Sequence, residues 1–348
     1  MFDLARKLFN ILRLFLLYFR RILFVKNKFK CGFFKKMRAN ICGGFLADQW
    51  MLYDFDHNDK SEYLSEFDWY RSRYINQPFD FVCNNKIVCN EILQQYIMVP
   101  DIVAIKRDNL LSDFKNADLS YEDIFDKVMK AGTCFIKPYG KGKGNGVFRL
   151  ESRDNVPYID EKAVTKEEMI QFLKKQKDWM IQTAMKQHAY SSSIYDKTTN
   201  TIRFITLRDP ETDKFKIFFA VQRIGTKSTI PVDNGSRGGL VCKIDLETGE
   251  LSEARCLHNR DVHTVHPDSG APIKGVKIPG WDELKVQMLE LANKFPYMYF
   301  VAWDILITPD GPCIIEANTS SGVNIIQLWG GQRHGELGDF YRHHGIRV

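Results

Sequence analysis

The 348-residue sequence predicts an α+β fold. Segments with helical period and N-terminal capping residues recur, notably after Asn84-Asn85, at Ser120 with Asp123, at Thr165 with Glu168, and over residues 281–295. Between them lie runs rich in β-branched and aromatic residues, bounded by Gly, Pro and Asp turns, at residues 179–183, 201–207, 215–222 and 299–316. No GK[ST] opens a helix, and the glycine-rich stretch sits between two strand-like runs, so neither a Walker loop nor a dinucleotide fold fits.

Composition is that of a globular chain, with 44% hydrophobic and 26% charged residues, and the length allows two or three compact units. The eight cysteines are scattered, with no CxxC pair, so neither a zinc site nor a disulfide framework is indicated. The net charge of +6 is unevenly placed: residues 1–40 hold eleven Lys or Arg against one Asp, and the other 308 residues sum to −4. That distribution argues against a nucleic-acid-binding body.

In chain order, residues 2–25 read as a helix with a narrow cationic face (Arg6, Arg13, Arg20) and a wide apolar one. No charge-free run reaches the ~20 residues needed to span a bilayer, and no small-residue cleavage site follows. A helix lying in an anionic membrane interface fits, assisted by the cationic cluster at 26–38; the alternative is a helix docked on its own protein or on a partner. Residues 45–80 are aromatic and charged, with a helix around 61–74. A cap at Asn84-Asn85 precedes an amphipathic helix over 86–96, and 98–105 reads as extended.

Residues 133–150 read as strand, glycine loop, strand. Gly142, Gly144 and Gly146 let backbone N–H groups approach an anion, while Lys137, Lys141 and Lys143 supply positive charge; taken alone, the tip is equally a flexible turn. Arg203 lies mid-strand, where an ordinary salt bridge is the plain reading. Asp233, Asn234, Ser236, Arg237, Gly238 and Gly239 belong to a polar, glycine-dense loop that is a candidate substrate contact. His263 and His266 sit in a loop without a companion ligand, which disfavours a metal there. The tail past residue 330 is polar and reads as a cap on the domain.

Residues 299–307 and 313–316 flank turn chemistry at 308–312 and form a β-hairpin. Asp304, Glu316 and Asn318 interrupt its apolar strands. Glu316 and Asn318 are two apart and share a face; a connection centred on Asp310 puts Asp304 opposite Glu316 on that face. Carboxylates in an apolar setting are costly unless partnered. A hard cation such as Mg²⁺, bound by oxygens and substrate phosphates, removes that cost. The plain alternative is a polar face bonded to neighbouring backbone.

The order of these features resembles the ATP-grasp superfamily. The runs IQTAMKQH and NTIRFITLR, then DNGSRGGL, HPDSG, IPGW and AWDILITPDGPCIIEAN, resemble more narrowly its sugar-transfer-associated family, found in polysaccharide biosynthesis, over roughly residues 80–330. The resemblance implies two α+β subdomains gripping ATP. The division expected is a membrane-interface segment (1–40), a helical N-terminal region (41–125), a lid subdomain (126–185) and a catalytic subdomain (186–348). It further implies that Lys86 and Lys137 hold ATP phosphates under the loop from Lys141 to Gly146. Gln182 and Thr183 would meet adenine. Asp304, Glu316 and Asn318 would hold one or two Mg²⁺, with Mn²⁺ able to substitute, and Arg203 would stabilise the transferred phosphoryl group. The expected activity is an ATP- and Mg²⁺-dependent carboxylate–amine ligase at the cytoplasmic membrane face. Its acceptor would be a uronic acid of a capsule or O-antigen precursor, with a small amine as the second substrate. A glycan kinase and a non-catalytic partner of a glycosyltransferase are the rival readings.

Overall fold

The computed structural model describes residues 2–25, 32–41, 43–116, 118–139 and 146–348. The glycine-loop residues Lys141, Gly142, Lys143 and Gly144, and the basic residues 26, 28 and 30, lie outside the described residues.

Two seven-stranded antiparallel sheets organise the chain. The first contains β1 (Ile102–Arg107), β2 (Leu110–Ser112), β3 (Thr133–Lys137), β4 (Phe148–Arg153), β5 (Val156–Ile159), β6 (Lys162–Ala163) and β7 (Trp179–Thr183), in the order β2-β1-β7-β3-β4-β5-β6. Residues 102–112, grouped by sequence with the helical region, thus belong to the same sheet as the glycine hairpin. The second sheet contains β8 (Ile202–Arg208), β9 (Phe215–Ile224), β10 (Leu240–Ile244), β11 (Leu251–Cys256), β12 (Val262–His263), β13 (Phe300–Thr308) and β14 (Gly311–Asn318), in the order β12-β11-β10-β9-β8-β13-β14.

Helices Tyr121–Ala131 and Lys166–Lys175 cover the first sheet and bury Ile124, Val128, Met169 and Leu173 against Cys134, Ile136, Trp179 and Ile181. Both begin with reciprocal caps, Ser120 with Asp123 and Thr165 with Glu168, which satisfy backbone N–H groups that the first turn leaves unpaired. On the second sheet, helix Trp281–Asn293 packs Leu284, Met288 and Leu291 on Trp303, Ile305 and Phe204. The opposite face buries Ile205, Leu207, Phe219, Val221, Phe300 and Ala302.

That second face is closed by the C-terminal segment. The polar tail is more than a cap: helix Glu336–His343 places Leu337, Phe340 and Tyr341 on one stripe, all buried in this core. The N-terminal region docks beside it. Gln327 accepts a hydrogen bond from the Leu64 amide at 2.7 Å, and the Glu62 carbonyl accepts one from the Arg333 amide at 2.9 Å. The approach is so close that a Cβ on Gly331 would lie 2.2 Å from the Glu62 carbonyl oxygen. Gly331→Ala is therefore expected to cost about 2 kcal/mol through forced backbone displacement, read as a lowered melting temperature; an unchanged melting temperature would show that this junction yields freely.

Candidate active site

Along β8, β9 and β13 the apolar rows facing the C-terminal helix run with period two: Leu207 and Ile205, Phe219 and Val221, Phe300 and Ala302. Each row ends in a charged residue, respectively Arg203, Arg223 and Asp304. Register places Asp304 opposite Arg203 on one side and opposite Glu316 on the other. Asn318 pairs with Ala302, and its amide approaches the Ala302 carbonyl at 3.5 Å. An irregularity in β14 follows immediately, since Asp304 faces Glu316 while Ile305 faces Ile314.

Asp304 is 4% exposed and is held by two guanidinium groups. Arg203 grips it through two parallel contacts, Nε–Oδ1 at 2.5 Å and Nη2–Oδ2 at 3.1 Å. Arg223 Nη2 lies 3.3 Å from Oδ2. Burial opposes ionisation of Asp304, but the charges of Arg203 and Arg223 outweigh it and hold the carboxyl below the usual range. Arg203 also reaches Ser321 Oγ at 3.4 Å.

Arg223 is the residue that the sequence reading missed, because its strand was ended at residue 222. Continuing the alternation of Phe219 and Val221 one step further would have found it. It binds Asp233 at 3.1 Å and donates to Thr201 Oγ1 at 2.6 Å. Asp233 in turn accepts from the Thr201 amide at 2.7 Å and hydroxyl at 2.6 Å. Burial disfavours the Arg223 charge, yet Asp233 and Asp304 more than compensate, and its pKa is raised. The first residue of the glycine-dense loop thus braces the arginine. Beyond it, the Asn234 carbonyl accepts from the Arg237 and Gly239 amides, with Ser236 inside the turn Gly235–Arg237 and Gly238 following it.

Helix Lys86–Leu93 packs on β14, with Asn85 capping its N-terminus by accepting from the amides of Ile87 and Val88. That cap aims Lys86 at Glu316, Nζ–Oε1 2.6 Å. From the first sheet come Lys137 on β3 and Gln182 on β7. Gln182 pairs with Phe135, so Lys137 and Gln182 share the face turned away from that sheet's core. Cys83, Lys86, Cys89, Lys137, Gln182 and Glu316 line a single cleft between the sheets. Burial, opposed by Glu316 and reinforced by Lys86, pushes the Lys137 pKa down to about 8. Thr183 turns to the chain itself, its hydroxyl accepting from the Asp101 amide at 3.0 Å. Gly146 closes the described edge of the glycine loop at φ +76°.

Two features fit a phosphate-bearing nucleotide and a hard cation. Gln182 Oε1 is buried in the cleft without a hydrogen-bond partner, an acceptor awaiting a donor such as a purine amino group. Asp304, Glu316 and Asn318 form an all-oxygen donor set of the kind that Mg²⁺ shares with substrate phosphates. Among the described residues no three His, Cys, Asp or Glu side chains form a ready-made metal cluster. His266 is wholly buried, its Nε2 2.8 Å from the Gly225 carbonyl oxygen while its Nδ1 accepts the Asp268 and Ser269 amides, so it is a structural histidine.

With this geometry in view, a family model settles the ancestry: sugar-transfer associated ATP-grasp matches residues 67–335. The chain belongs to the sugar-transfer associated ATP-grasp family. Its two sheets and the cleft between them are the ATP-grasp fold. No curated protein matches the chain in sequence. Among solved structures it is similar to D-alanine–D-alanine ligase from Bacillus anthracis, at 16% identity over 76% of this chain and 64% of that one, with a TM-score of 0.36. D-alanyl-alanine synthetase A from Vibrio cholerae aligns at 13% identity over 71% and 59%, TM-score 0.41. N5-carboxyaminoimidazole synthetase from Staphylococcus aureus complexed with ADP aligns at 8% identity over 68% and 44%, TM-score 0.36. The chain therefore spans less than two-thirds of each of these proteins. Within the ATP-grasp fold, Lys86, Lys137, Gln182 and Glu316 line one cleft, and Asp304 and then Arg203 follow Glu316 in register on the two neighbouring strands.

Proposed function

We propose that this ATP-grasp chain is an ATP- and Mg²⁺-dependent carboxylate–amine ligase acting through an acyl phosphate, with a uronic acid of a polysaccharide precursor as acceptor and a small amine as second substrate. One observation carries the reading. Four cations, Lys86, Lys137, Arg203 and Arg223, converge on two buried or half-buried carboxylates, and the chemistry uses no protein nucleophile.

A carboxylate is a poor electrophile. Its oxygen attacks the γ-phosphorus of ATP, the bond to the β-bridging oxygen breaks, and ADP leaves. The amine then attacks the acyl carbon, inorganic phosphate departs with the C–O bonding pair, and the nitrogen loses a proton. Negative charge shifts over the phosphoryl oxygens throughout, so positioned cations contribute most of the acceleration. Lys86 and Lys137 hold phosphate oxygens from the two sides of the cleft, and Arg203 braces the transferring group. Arg223, itself anchored by Asp233, keeps Asp304 ionised and oriented. Mg²⁺, when bound by Asp304, Glu316 and Asn318, supplies further charge neutralisation. A screen of uronic acids against amines, reading ADP release, tests the proposal: release that requires both substrates supports it, and release with a neutral glycan alone points to a kinase.

Lys137 gives the site a pH dependence. It loses its proton as pH rises through about 8 in the free protein. Bound phosphate favours the charged lysine, so its pKa rises on binding. Affinity for ATP is then full below about 8 and declines above it, and binding near that pH takes up protons. Calorimetry in buffers of differing ionisation heat should register this uptake in the wild type and lose it in Lys137→Arg. Equal uptake in both proteins would assign the titration elsewhere.

A further inference from the structure

We propose that the N-terminal helix and the segment 32–41 form a docking face for an anionic lipid bilayer. A helix on a soluble protein ordinarily turns its apolar stripe inward. This one is attached the other way round. Arg13 stacks over the Tyr74 ring at 4.2 Å, Arg21 lies 5.7 Å from the Tyr70 ring, and Tyr18 packs edge-on against Phe67 at 4.9 Å. Ile22 is a fully buried apolar anchor beside them. The arginine side is engaged by the protein's own aromatics, and the apolar side is left outside.

What is left outside is large. Phe9, Leu12, Phe15 and Leu16 on helix Phe2–Tyr18 are each more than half exposed, and Phe33 and Phe34 on helix Phe33–Ile41 are 73% and 78% exposed. Isolated exposed apolar residues are ordinary, whereas a contiguous set marks an interaction surface. On the first helix and its continuation Phe15 lies 4.6 Å from Phe19 and Phe19 6.0 Å from Phe24, and on the second Phe33 lies 5.6 Å from Phe34. Among the described residues no helix is long and apolar enough to cross a membrane, so the face lies in the plane of the interface.

Charge decides between occupants. Exposed Arg20, Arg21 and Arg38 make up the cationic rim of this segment, Arg21 and Arg38 while also lying 5.7 Å from the Tyr70 and Trp50 rings respectively, whereas Lys35 is paired with Asp56 of the same chain. The first forty residues hold eleven cations and one acid. A second copy of the chain would bring like charge against like. An anionic lipid surface offers both an apolar interior for the phenylalanines and negative headgroups for the rim.

The test is co-sedimentation of the full chain with phosphatidylcholine vesicles, with and without about 30% phosphatidylglycerol. The wild type is expected to bind the anionic vesicles, weakly bind the neutral ones, and release as salt rises. The combined Leu12→Asp and Phe15→Asp variant is expected to partition at least about tenfold less, with unchanged melting temperature and ATP binding. Should that variant melt early, Phe33→Ser with Phe34→Ser, on a separate helix, gives the same reading. Wild-type binding equal to that of the variants would overturn the proposal. So would a wild-type dimer that the variants dissolve while no lipid is bound, which would make the face a self-association surface.

Discussion

Asp304→Asn is expected to lose ATP turnover by at least about 10³-fold and to destabilise the protein as well. The two effects share one cause. Among the described residues Asp304 is the only carboxylate in contact with both Arg203 and Arg223, and an amide leaves Arg203 facing a neutral partner and Arg223 with Asp233 alone. Breaking one side of such a buried pair costs on the order of 3 kcal/mol. The sign of the pH dependence follows. A carboxyl held below its ordinary range contributes stability that is fully present above the ordinary pKa and is lost as pH falls from there through the lowered pKa of the folded state. The Asn variant should therefore have a flatter stability profile on the acid side. Glu316→Gln separates chemistry from stability. Glu316 is 28% exposed at its side chain and its ion-pair partner is Lys86, so its stability should stay within about 1 kcal/mol of wild type. Its turnover should still collapse. Near-normal ADP release by Glu316→Gln would remove it from the proposed metal set.

Arg203→Ala is expected to lower kcat about 10²-fold or more while ATP binds almost normally. Its fork spans both oxygens of Asp304, and a lysine offers one point charge where two parallel donors are needed. Arg203→Lys should not rescue the rate. The same pair yields a second readout. In the free protein Arg203 competes with any cation for the Asp304 oxygens, so removing it should lower the Mg²⁺ concentration needed for half-maximal rate even as the rate falls. A purely structural role would move neither quantity in that combination. Lost ATP affinity with kcat retained would make Arg203 a ground-state phosphate ligand instead.

The parts of the fold that local chemistry specifies were legible in the sequence. Reciprocal caps at Ser120 and Thr165 put two helix starts in place, and the Asn85 cap did so for the helix bearing Lys86. Turn chemistry at 308–312 made the late hairpin legible, but the turn pairs Thr308 with Gly311 and so is not centred on Asp310. Asp304 faces Glu316 because the irregularity after Ile314 shifts the register by one residue. Long-range contacts were not legible. Asp304 and Arg203 are 101 residues apart, and no local pattern announces that they pair. Short strands such as β5, β6 and β12 carry too few residues for a period to register. The C-terminal helix escaped because its four titratable residues, Glu336, Asp339, Arg342 and His343, outnumber the three apolar side chains, Leu337, Phe340 and Tyr341, that it buries. The N-terminal helix was legible as amphipathic, but which side faces the protein depends on Tyr70 and Tyr74, some fifty residues away.

The most direct test of carboxylate activation follows an oxygen atom. With the acceptor carboxylate carrying isotopically heavy oxygen, an acyl phosphate route must deliver one heavy oxygen to the inorganic phosphate released for each amide formed. Mass spectrometry of the phosphate reads this without reference to any variant. Heavy phosphate in step with ADP is the predicted result. Phosphate of natural isotopic composition, or a stable phosphate ester on a sugar hydroxyl, would contradict the ligase account.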